Sequence, residues 1–208
     1  MVDYKPDEIE KRSFEIITNE IGDIPLDEAI APIVKRVIHT SADFDYLENL
    51  CFSENVVEIA LQAIKKGADI ITDTNMACSG INKAALKKSG GTAHCFMADE
   101  AVAREAKEKG TTRASVSMEK AAQLNKEVIF AIGNAPTALI KLDELIRENK
   151  IKPALIIGVP VGFVNVVESK ELIMKSGIPY IVARGRKGGS NVAAAIVNAL
   201  LYMAYPRD

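Results

Sequence analysis

Tryptophan is missing from this chain of 208 residues, aromatic residues make up only 5%, and histidine occurs twice, at His39 and His94. Platforms that stack single-stranded nucleic acid need aromatic faces, so the composition argues against one. The 26 basic and 28 acidic residues leave a net charge of -2. No global positive field advertises nucleic acid, and any anion site must be local. The three cysteines, Cys51, Cys78 and Cys95, form no CxxC pair and have no histidine at ligand spacing, so neither a disulfide framework nor a zinc site is expected. Buried thiols in a reducing compartment are the reading for them. No apolar run approaches the roughly 18 to 20 residues that span a bilayer. The N-terminal "MVDYKPDEIEKRSFEII" is charged where a signal peptide would be apolar, so a cytoplasmic location without membrane partners is expected. Missing too are the GxxxxGK[ST] and GxGxxG fingerprints of nucleotide phosphate loops.

What is present is the balance of a globular chain, with 48% hydrophobic and 26% charged residues. Residues 1–208 are read as a single α/β domain, with no repeat or linker to suggest a second. Five segments combine β-branched residues with a breaker just after them: "ADIITD" (68–73), "TAHCFM" (92–97), "EVIFAIG" (127–133), "ALIIG" (154–158) and "PYIVARG" (179–185). Near-continuous apolar runs such as "VIFAI" suit strands covered on both faces, and a helix pattern follows each. The pattern predicts a doubly wound, five-stranded parallel sheet with additional N-terminal helices over 7–21, 26–38 and 53–66. Ser53 is the expected N-cap of the third, Gly67 its stop, and Asp99 and Gly110 bracket another helix. Pro136 suits the first turn of the helix after "AIGNA".

In such sheets ligands bind beyond the carboxyl ends of the strands. The residues there are polar or glycine-rich: Asp73-Thr74-Asn75, Met97-Ala98-Asp99, Gly133-Asn134, Gly158-Val159-Pro160 and Arg184-Gly185-Arg186. "ARGRKGGSNVAAA" places Arg184, Arg186 and Lys187 before two glycines and a helix start, which suits carboxylates or phosphates; an ordinary turn capped by Ser190 would look the same. Asn134 could face a ligand or only organise its turn. Arg113 in "GTTRA" could hold a carboxylate bidentately or be a solvated charge. Arg12 and Ser13 sit in a helix pattern with Phe14 as core, and Glu168 reads as surface. His94 lies mid-strand, where a satisfied histidine is the ordinary case. His39, at the end of a helix beside Thr40, Ser41 and Asp43, is either a proton donor at neutral pH or a helix cap.

The stretches "RVIHT" (36–40), "GTTRA" (110–114), "AIGNAPTAL" (131–139), "GVPVGFVNVVESKE" (158–171) and "RGRKGGSNVAAAIVNAL" (184–200) together resemble, in order, the precorrin-8X (cobalt-precorrin-8) methylmutase family of the cobalamin pathway. The likeness spans nearly the whole chain. It implies a flavodoxin-like α/β fold, a homodimer, and migration of a methyl group from ring carbon 11 to ring carbon 12 of a corrinoid tetrapyrrole, giving hydrogenobyrinate or cobyrinate. The resemblance places the catalytic histidine on His39 and substrate contacts on Ser13, Arg36, Arg113, Asn134, Arg184 and Arg186. Such an isomerisation requires no redox cofactor, no methyl donor and no metal ligated by the protein. A corrinoid carrier using the same cleft without chemistry is the alternative from another class.

Overall fold

A computed structural model of the protein describes residues 5–206; the first four residues of the charged N-terminal stretch lie outside that range. The chain opens with helices α1 (Pro6–Ile21), α2 (Ala31–Ser41) and α3 (Tyr46–Asn49), then β1 (Leu50–Phe52) and α4 (Val56–Lys65). β2 (Asp69–Thr72) leads through α5 (Asn75–Gly80) and α6 (Lys83–Ser89) to β3 (Ala93–His94), and α7 (Glu100–Lys109) and α8 (Arg113–Ala121) follow. Three strand-helix units complete it: β4 (Val128–Ile132) with α9 (Pro136–Arg147), β5 (Leu155–Gly158) with α10 (Val166–Met174), and β6 (Tyr180–Ala183) with α11 (Ser190–Ala204).

The sheet has six strands in the order β1-β6-β5-β4-β2-β3. All neighbours are parallel except β1, which pairs antiparallel with β6 and sets Cys51 opposite Val182. Five strands were expected. The sixth was hidden because "LCF" is too short to show a period and because Ser53 was assigned to a helix cap. Ser53 instead extends the sheet edge: its N–H donates to the Tyr180 carbonyl at 3.0 Å, and its hydroxyl accepts from the Tyr180 N–H at 2.9 Å. The cap of α4 is Asn55, in the left-handed conformation.

The strand side chains alternate between two apolar layers. Ile70, Ile129, Ala131, Leu155, Ile157, Ile181 and Ala183 meet α1, α2, α4, α6 and α11 on one face, while Ile71, Phe130, Ile132, Ile156 and Val182 meet α8, α9 and α10 on the other. Burial on both faces explains why these strands read as continuous apolar runs. Two helix ends differ from expectation. α2 begins at Ala31 rather than 26, because the Asp27 carboxylate accepts the Ala29 N–H at 2.7 Å and holds a turn there. It runs on to Ser41, so His39 lies inside its last turn.

α11 is the central packing helix, with ten of its fifteen residues buried, and it runs antiparallel to α2. Arg36 shares a cavity with Tyr202 and Met203 near the end of α11, whereas His39 and Thr40 share one with Asn191 near its start. The end of α2 is thereby carried to the edge of the sheet where β2, β4, β5 and β6 terminate. Among the described residues, no helix is long and apolar enough to cross a membrane.

Candidate active site

The edge is built on one buried carboxylate. Asp73, directly after β2, is fully buried and accepts the backbone N–H groups of Gly133 at 2.9 Å, Asn134 at 2.8 Å and Ala135 at 2.6 Å. Burial pushes its carboxyl pKa up, and the backbone amides pull against that rise without cancelling it. Three consecutive amides on one side chain set the turn between β4 and α9, and they leave the Asn134 side chain exposed. Gly133 must be glycine, since a Cβ there would stand 2.7 Å from the Cα of Ser190. The same crowding seats the start of α11 against the end of β4.

Ser190 is not the cap of α11. It is the first helical residue, after Gly189, and its hydroxyl shares a 2.7 Å hydrogen bond with Thr74, itself the N-cap of α5. Gly188 passes so close to the Val159 carbonyl that a Cβ would overlap it, and the Gly189 N–H donates to that carbonyl at 2.9 Å. The glycine pair of "RKGGS" therefore locks the turn after β6 onto the turn after β5.

His39 stands over this edge. It is exposed, stacks on Phe14 with ring centroids 5.2 Å apart, and makes no hydrogen bond among the described residues. The capping role does not fall to it: the backbone N–H of Ala42, in the left-handed conformation, donates to the Ile38 carbonyl, and the Ser41 hydroxyl donates to that of Val37. Its ring lines two concavities, one of about 230 Å³ with Arg36, Thr40, Gly80, Asn191 and Asn198, the other of about 420 Å³ with Ser13, Glu20, Ala42 and Phe44. Ser13 thus shares a wall with His39, although its hydroxyl is bonded to the Ile9 carbonyl. Arg36 lies with its guanidinium carbon 5.0 Å from the Phe14 ring centre and 4.8 Å from that of Tyr202, and it pairs with Glu10 at 3.0 Å. One aromatic ring so carries both the histidine and the arginine.

The other candidates come from the start of α8 and from the loop after β6. Arg113 opens α8, exposed and without an ion pair among the described residues. Its neighbour Thr112 caps the helix and bonds Thr137 of α9 at 3.0 Å, which brings the Arg113 turn beside the Asn134 turn. Arg184 is bonded to Glu171 at 3.2 Å. Arg186 is exposed, with its guanidinium over Phe163. Lys187 bridges Asp43 at 2.7 Å and Asp45 at 2.5 Å, which joins the loop after α2 to the loop after β6. His94 is satisfied as expected, with Nε2 3.1 Å from Asp69. The cysteines are free but half-buried rather than buried.

Lys170, which escaped the sequence reading, is 1% exposed. Its ammonium donates to the carbonyls of Gly185 at 2.8 Å and Lys187 at 2.9 Å, and burial pushes its pKa down to about 8. The unfolded chain keeps that proton up to its ordinary value of 10.5, so the folded state holds fewer protons between about 8 and 10.5, and this group's contribution to stability rises with pH across that window. Thermal melts of wild type and Lys170→Met should therefore diverge in the wild type's favour from pH 8 to 10, by about 1–3 kcal/mol. A constant gap would mean that the amine titrates normally.

An exposed histidine thus stands beside a glycine-rich, arginine-bearing sheet edge in an α/β fold. The model of the precorrin-8X methylmutase family matches residues 8–203, and the chain belongs to that family. It is 45% identical over 200 residues to the cobalt-precorrin-8 methylmutase of Priestia megaterium, covering 96% of this chain and 89% of that one. To the precorrin-8X methylmutase of Pseudomonas aeruginosa it is 38% identical over 206 residues, covering 96% and 98%. A crystal structure of precorrin-8X methylmutase from Thermus thermophilus superposes with a TM-score of 0.85 at 39% identity, covering 94% of this chain and 96% of that one.

Proposed function

We propose that the chain moves a methyl group from ring carbon 11 to ring carbon 12 of precorrin-8X or cobalt-precorrin-8, with His39 as the acid. The protein is an isomerase of cobalamin biosynthesis, a methylmutase. The observation that supports the role of His39 is its placement: an imidazole with no hydrogen bond among the described residues, fixed by stacking on Phe14, at the wall common to two concavities. A methyl shift within a conjugated ring needs the macrocycle held and its electrons biased. Protonated His39 supplies the bias by donating a strong hydrogen bond to the ring system as the methyl moves, or by donating a proton that the imidazole takes back from the ring once the methyl has moved.

The substrate is a flat apolar disc edged with acetate and propionate carboxylates. Glycine at 133 and 188 lets the turns at the sheet edge close onto one another beneath the disc, while arginines meet its edge. Arg113 and Arg186 are the cations best placed for this, since neither is paired with a carboxylate among the described residues. Arg184 must leave Glu171 to join them, which costs little because an exposed pair is worth about 0–1 kcal/mol. Ser13, Arg36 and Asn134 complete the contacts. The parallel strands β3-β2-β4-β5-β6 support reading the core as a flavodoxin-like unit to which β1 adds an edge, and the two apolar layers share one sheet, which supports a single domain. We read the protein as cytoplasmic, without nucleic-acid or membrane partners. Exposed Ile9 and Ile16 on α1 and Met76 on α5 offer apolar area for a second copy, in support of a homodimer.

The test is to mix precorrin-8X, and separately its cobalt form, with a small molar fraction of protein and follow the absorption spectrum. Conversion of excess substrate is expected, and the faster reaction identifies the natural metal state. A spectral change that stops at one equivalent would make the protein a carrier. Because carboxylates are clamped by exposed arginines, kcat/KM should also fall several-fold as salt is raised from about 0.01 to 0.5 M; indifference to salt would remove the clamp.

A further inference from the structure

Among the described residues, the turn between β5 and α10 is the most exposed apolar stretch, with Phe163 at 81% and Val164 at 78% of full exposure. It stands at the sheet edge that carries the site, and it is fastened there: the Gly162 N–H donates to the Arg186 carbonyl at 3.2 Å. The carbonyls on either side, of Gly185 and Lys187, are the two held by the buried ammonium of Lys170. Three consecutive carbonyls of the anion loop are thus tied from behind, and the Arg186 side chain is directed outward over the Phe163 ring, 5.4 Å from its centre. The neighbouring cations are spent, Arg184 on Glu171 and Lys187 on Asp43 and Asp45. Arg186 alone in this loop has no carboxylate among the described residues.

We propose that Phe163 and Arg186 form one recognition element for the corrinoid substrate, Phe163 lying against the macrocycle and carrying the Arg186 guanidinium to a carboxylate on its rim. The inference rests on the isomerase reading above and adds to it the apolar half of the contact. A ring that presents an aromatic surface and a held cation side by side matches a ligand that presents an apolar plane and an acidic edge. A lone exposed phenylalanine would serve either half poorly. Lys170 acts here as a positioning residue, through the carbonyls that flank Arg186.

Because Phe163 is exposed, its substitution leaves the fold alone, and because the chain has no tryptophan, Phe163→Trp installs a single indole at the turn. Bound hydrogenobyrinate is expected to shield that indole from iodide. Phe163→Ala should raise KM about ten-fold with kcat nearly unchanged, with Phe163→Leu between it and wild type. Arg186→Gln should also raise KM, and the double variant should fall short of the product of the two effects, as coupled neighbours do. A KM for Phe163→Ala equal to that of wild type, or an indole as open to iodide with hydrogenobyrinate as without, overturns the proposal. So does emission that follows protein concentration but not hydrogenobyrinate, which would give the turn to contact between copies of the chain. An indole shielded by hydrogenobyrinate in Phe163→Trp, together with wild type that fails to turn over, would remove the isomerase reading and leave ring recognition standing.

Discussion

Replacing His39 by alanine is expected to lower kcat by about 10²- to 10⁴-fold, the range for loss of a positioned general acid, while KM moves little. The residue can be removed cleanly. Its ring is exposed, rests on Phe14 and makes no hydrogen bond among the described residues, and the end of α2 is closed by the backbone of Ala42 and the hydroxyl of Ser41. Stability should therefore stay within about 0.5 kcal/mol of wild type, as for surface changes away from caps and buried networks. A variant that keeps most of the wild-type rate would deny His39 the proton and leave the stack on Phe14 as its role. One that melts early would show that the ring braces α1 against α2. Steady-state rates and a melting curve on the same preparation separate these results.

Asp73→Ala should cost about 3–5 kcal/mol of stability, because it strips the acceptor from three amides at once and leaves the buried N–H of Gly133 without a partner. Asp73→Asn restores an oxygen to two of the three and should fall between. The damage reaches the chemistry through position: without the carboxylate the turn holding Asn134 loosens, and with it the seat of Ser190 against Gly133. Denaturant titrations should show a lower midpoint with an unchanged slope. A loss under about 1 kcal/mol would mean that water replaces the carboxylate.

The parallel strands, the terminal glycines and the stop at Gly110 were legible because each rests on a local rule: β-branched runs, close backbone approach, a left-handed cap. Other features were not local. β1 exists only because β6 lies beside it, and Ser53 was claimed by a cap pattern when its partner, Tyr180, is 127 positions away. Ser190 likewise looked like a cap until its hydroxyl met Thr74. In the site, the residues at strand ends were located by fold geometry alone, but Arg36 and Arg184 resemble free cations in a sequence and are paired in the structure. Lys170 was hidden by its neighbours, since "ESKE" reads as a solvated face. The helical period does betray it: Val166, Ser169, Lys170 and Ile173 form one buried stripe, and the lysine falls on it.

The packing of α2 along α11 also orders events in time. His39 precedes every strand of the six-stranded sheet and α11 follows them all, so a chain halted before residue 190 carries the sheet and none of the wall that Asn191 and Asn198 provide. A nascent chain at that stage has the apolar faces of α2 and α4 open to solvent, which makes it a client for chaperones. Docking of α11 thus supplies the wall beside His39 and covers those apolar faces in one and the same step.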